Sequence, residues 1–147
     1  MARPSLVLVE ALRATAARLT AGSRYQWGHL GQCNCGHLVQ TVCRLPPGRI
    51  HELALEREGD WEQLANAYCP TSRLAIDDVI SELVALGLTT EDIGHLEKLD
   101  DPAILAALPG GHRWLRRNDR GDLVDYLTTW AALLERELPA AAVTVAA

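Results

Sequence analysis

The chain has 147 residues, a net charge of −5, four tryptophans and no phenylalanine. That length suffices for one core without disulfide support, and the acidic balance argues against broad, phosphate-driven nucleic-acid binding. No apolar run approaches the ~20 residues of a membrane span. The apolar run after Met1 soon meets Glu10 and Arg13, so no secretory leader is read, and the expected compartment is the reducing cytoplasm.

In chain order, Leu8, Leu12, Ala16 and Leu19 recur at helical spacing after Ser5 and stop at Gly22, which predicts a first helix. Residues 23–36 match neither the helical nor the strand period and are expected to form a glycine-rich ordered loop or a broken helix. Leu38, Val39 and Val42 predict a short helix ended before Pro46 and Pro47, and Pro47 opens another carrying Ile50, Leu53 and Ala54. Asp60 followed by Gln63 has the form of a capping box for a helix ending near Tyr68, with a break from Cys69 to Ser72.

The broadest apolar stripe, Ile76, Val79, Ile80, Leu83 and Val84, predicts a central core helix closed by Gly87. Thr89 with Asp92, and Asp101 before Pro102, mark two further helix starts, and Pro109, Gly110 and Gly111 mark a stop. A long last helix, capped by Asn118 or Asp119, carries Leu123, Leu127, Trp130 and Leu134 on one face and ends at Pro139. The expectation is an all-α protein, one domain over residues 1–139 with seven or eight helices, several of them short, and a frayed tail over residues 140–147.

The chemistry concentrates in residues 29–37, which place His29, Cys33, Cys35 and His37 in an H-x3-C-x-C-x-H pattern with Gly28, Gly31 and Gly36 interleaved. Thiolate and imidazole are ligands that zinc prefers, so this is read first as a zinc site built on one loop, the glycines supplying positive-φ backbone. A structural, sensory or catalytic use of the ion is left open. The H-x3-C portion is similar to part of the H-x3-C-x2-C motif of zinc-binding anti-sigma factors, but the second cysteine comes one residue early and the chain is not assigned to that family.

Three other readings stay open. A thiol enzyme would use Cys33 or Cys35 as nucleophile, with His29 or His37 as base, Asp77 or Asp78 behind it and Gln32 toward an oxyanion. A Cys33–Cys35 disulfide would be strained and labile, suited to a redox switch. Cys69-Pro70 resembles heme-binding and iron–sulfur ligand dipeptides, and Cys33, Cys35, Cys43 and Cys69 supply the four thiols a cluster needs, so iron, heme or an iron–sulfur cluster is the alternative cofactor. Alternatively the two cysteines of the motif are packed thiols and its histidines bond the backbone.

Arg113, Arg116, Arg117 and Arg120 would share one face if their segment were helical, with His112 and Trp114 nearby; that face could hold an anion or an acidic protein partner. His95 is a possible remote ligand, read rather as a hydrogen-bonded helix residue. His51 is expected to be exposed, Cys43 to be core, and Tyr25 and Trp27 to wall the motif or join the core.

Overall fold

The first helix, α1 (Leu6–Thr20), is capped by the Ser5 hydroxyl, which accepts from Leu8 N, and buries Leu8, Val9, Leu12, Ala16 and Leu19. Its main partner is the last helix, α8 (Arg120–Arg136), against which it packs to form the backbone of the core. Leu123, Leu127, Trp130 and Leu134 are all buried there, as the spacing of the apolar positions predicts. The computed structural model describes residues 1–57 and 59–140. The expected frayed tail falls, beyond Ala140, outside them.

Between these two helices run α2 (Asn34–Cys43), α3 (Pro47–Leu55), α4 (Trp61–Asn66), α5 (Ala75–Leu86), α6 (Thr90–Lys98) and α7 (Pro102–Ala106). The fold is all-α. The starts follow from local chemistry. Pro47 and Pro102 occupy first-turn positions where their missing N–H costs nothing. Thr89 and Asp92 form a reciprocal capping box on α6, and the Asp60 carboxylate accepts from Gln63 N on α4. α5 ends at Gly87, whose φ of 120° few side chains adopt.

Helix α2 is the hub. It contacts α1, α3, α5 and α6, and at its N-terminus Cys33 accepts from Trp61 of α4 while Cys35 bonds Glu97 and Ile93 of α6. No helix among the described residues is long and apolar enough to cross a membrane.

Candidate functional site

The nine-residue motif divides between loop and helix. Cys33 is the N-cap of α2, so Cys35, Gly36 and His37 belong to its first turn rather than to the loop expected over residues 23–36. The glycines also have a different reason from the one expected. None of Gly28, Gly31 and Gly36 has positive φ; a Cβ on Gly31 would lie 2.0 Å from Pro47 O, and one on Gly36 would lie 2.5 Å from Leu30 O. Two of them serve close backbone approach, and Gly28 has open space around it.

His29, Cys33, Cys35 and His37 are not gathered at one point. The His29 ring stacks on His51, with centroids 4.1 Å apart, and its Nδ1 accepts from Gly31 N. His51, expected to be exposed, is therefore half-buried. His37 is buried and its Nε2 donates to Arg24 O at 2.7 Å; burial pushes its pKa down to about 4, with Arg18 and Arg120 adding to the shift. Among the described residues no group of three or more His, Cys, Asp or Glu side chains is placed to hold a metal ion.

The two thiols instead meet a carboxyl group that the motif does not contain. Glu97 of α6 is only 7% exposed, and its Oε2 accepts from Cys35 N at 3.1 Å. The charge of this carboxyl acts on both thiols, whose own protons are donated to Leu30 O and Ile93 O. Burial raises its pKa to about 7, over the opposing pull of Cys35 N–H and the thiols. Among the described residues it has no ion-pair partner.

Cys33 and Cys35 are free, at 0% and 1% exposure, and burial followed by the Glu97 charge pushes both thiols well above the usual range. The indole Nε1–H of Trp61 points at Cys33 Sγ (3.0 Å) and shares itself with Leu30 O (3.1 Å). Cys35 Sγ donates to Ile93 O at 3.3 Å. Two protonated thiols and one buried carboxyl of raised pKa thus lie together at the N-terminus of α2. Burial and the nearby carboxyl charge both hold the two thiols in their protonated form at rest.

Asn34, between the cysteines, is fully buried and fixes the centre in place. Its Oδ1 accepts from Tyr25 OH (2.7 Å), and its amide nitrogen serves Glu97 O (2.9 Å), Arg117 O (2.9 Å) and Leu96 O (3.2 Å). Sequence reasoning missed Asn34 and Glu97. The only signal was an asparagine inside a C-x-C and a glutamate on the apolar side of α6, where Ile93 and Leu96 are also buried.

The other candidates lie apart from this centre. Asp77 is buried and paired with Arg57, and Asp78 is exposed. Cys69 is exposed, its sulfur 3.1 Å from Thr71 Oγ1, and that contact lowers its pKa. Cys43 is half-buried against the core and burial pushes it to about 11. His95 bonds Asp100 through Nδ1 at 2.6 Å, the hydrogen-bonded helix residue expected.

The arginine face does not form, because residues 112–116 are irregular and only Arg120 is helical. Arg113 pairs with Asp122 and Asp125, Arg116 with Asp119 and Asp122, Arg120 donates to Leu19 O, and Arg117 lies 4.5 Å over the Trp27 ring. No protein-family model, no curated protein and no solved structure matches the chain.

Proposed function

We propose that the protein is a thiol switch whose working groups are Cys33, Cys35 and Glu97. The observation that carries this is a carboxyl group buried without a cation and set against two free thiols. Burying such a group is costly, and buried groups of shifted pKa mark sites of proton transfer.

The reaction is thiol–disulfide exchange with a disulfide oxidant, written RSSR. Residues 24–33 must first open, because Cys33 is sealed beneath Leu30 and Trp61. The Glu97 carboxylate takes the Cys33 proton, and the thiolate attacks one sulfur of RSSR; RS⁻ leaves and is protonated to RSH. Glu97 gives up its proton to water and takes that of Cys35. The Cys35 thiolate attacks the mixed disulfide, and a second RS⁻ leaves. The two cysteines lose two electrons and two protons, and RSSR becomes 2 RSH. The ring closed across Asn34 is small and strained, so the disulfide is easily reduced again.

The test uses a Cys43→Ser, Cys69→Ser background in oxidised and reduced glutathione, with intact mass and alkylation as readout. A reversible Cys33–Cys35 disulfide is expected, with a formation rate that climbs through neutral pH. Glu97→Gln should slow it at least tenfold and flatten the profile. Failure to form the disulfide, or an unchanged profile in Glu97→Gln, overturns the reading.

The zinc site of His29, Cys33, Cys35 and His37 would require both histidines to leave their present partners. Stoichiometric zinc on protein purified without added metal, lost in Cys33→Ser/Cys35→Ser, would put it in place of the dithiol. A coloured protein that bleaches on Cys69→Ser would do the same for heme or iron–sulfur.

A further inference from the structure

The segment 111–118 crosses the surface as an irregular strap between Gly111 and the N-terminus of α8. Leu115 packs against the core, whereas Trp114, its immediate neighbour, is 78% exposed, the most exposed of the large apolar side chains among the described residues. His112 meets the Trp114 ring edge-on, with centroids 4.9 Å apart. Arg113 and Arg116 are held by Asp119, Asp122 and Asp125, but Arg117 has no carboxylate among the described residues within ion-pair distance and rests on Trp27. The strap therefore presents an exposed indole and, three residues on, an exposed guanidinium without a carboxylate partner among the described residues, on a protein whose overall charge is −5.

The strap is also tied to the thiol centre. Arg117 O accepts from Asn34 Nδ2 and from Tyr25 OH, both at 2.9 Å, and Trp27 Nε1 reaches Glu97 O at 3.5 Å. Anything that moves Arg117 pulls on the residue between Cys33 and Cys35 and on the loop that seals Cys33.

We infer that this strap is the docking surface for an acidic, aromatic-bearing segment of a partner protein, and, resting on the thiol-switch reading, that docking there opens the way to Cys33. Exposed Trp and Arg are the side chains that most often anchor such contacts, and a guanidinium free of carboxylates is complementary to Glu and Asp. A partner of this charge is also the kind that a surface salt bridge steers, so its binding weakens as salt rises.

The probe is a fluorescein-labelled peptide of glutamates interrupted by one tyrosine, beside its lysine counterpart and an oligothymidine strand. Saturable, salt-sensitive binding of the acidic peptide is expected, weakened at least tenfold by Trp114→Ala and by Arg117→Ala, both exposed positions whose loss leaves the core intact. Saturating peptide should speed alkylation of Cys33 several-fold. Absence of saturable binding, binding by either variant as tight as that of the unaltered protein, or equal or stronger binding of the lysine peptide or oligothymidine overturns the inference, and so does binding that leaves Cys33 alkylation unchanged. If the peptide binds and accelerates alkylation but glutathione yields no Cys33–Cys35 disulfide, the thiol-switch reading falls and the docking surface stands.

Discussion

At the residue scale the site depends on positions with almost no tolerance in size. Gly31 and Gly28 make a paired test, since both are non-positive in φ but only Gly31 meets Pro47 O. Gly31→Ala forces the backbone of residues 29–33 away from α3 and is expected to cost about 2–4 kcal/mol, while Gly28→Ala should be neutral or stabilising by up to ~1 kcal/mol. Chemical denaturation of the two variants checks this; similar midpoints would mean that the loop does not rely on that approach. Asn34→Ala is expected to be still more damaging to the centre, because one truncation removes a hydrogen bond from each of the Leu96, Glu97 and Arg117 carbonyls and leaves Tyr25 OH with Arg117 O alone. Asn34 supplies, in one side chain, most of the hydrogen bonds that join α2, α6 and the strap.

At the scale of elements, the helices with strong local signals were the legible ones. Apolar periodicity and a cap agree at α1, α5 and α8, a capping box alone marks α6, and these stand where the sequence places them. The start of α2 was not legible, because Cys33 caps it without a side-chain hydrogen bond and Gly36 in its first turn reads as a loop residue. Packing decides that start: Glu97 reaches across from α6 to take Cys35 N–H, a contact of |i−j| = 62 that no local pattern contains. The arginine spacing misled for a related reason. It fits a helix, yet Asp122 accepts from Arg116 N at 2.7 Å and from the Arg113 guanidinium at 3.1 Å, and so holds the strap irregular against the first turn of α8. Asp122→Ala should therefore cost about 1–3 kcal/mol and raise amide exchange over residues 112–118, with α1 unchanged. Unaltered exchange in the strap would show that Asp122 is not what shapes it.

At the scale of the whole molecule, two buried groups with opposite pKa shifts set how stability responds to acid. His37 is held neutral, its pKa moved from 6.5 to about 4, so its contribution is present above 6.5 and is lost as pH falls toward 4. Glu97 is held protonated, its pKa moved from 4.5 to about 7, so its contribution is present below 4.5 and is lost as pH rises through 7. Between about pH 4.5 and 6.5 one proton linkage therefore opposes the other, each with a slope of up to ~1.4 kcal/mol per pH unit. In that window the His37 linkage offsets part of the Glu97 linkage, so the buried carboxyl makes stability less sensitive to pH than it would alone. Removing either group should uncover the other: Glu97→Gln should gain stability steadily from pH 4.5 to 6.5, and His37→Gln, which keeps a donor for Arg24 O, should lose it over the same interval. Urea midpoints taken across that range measure both slopes, and parallel profiles for the two variants would mean that these groups titrate normally and that the centre holds no proton in reserve.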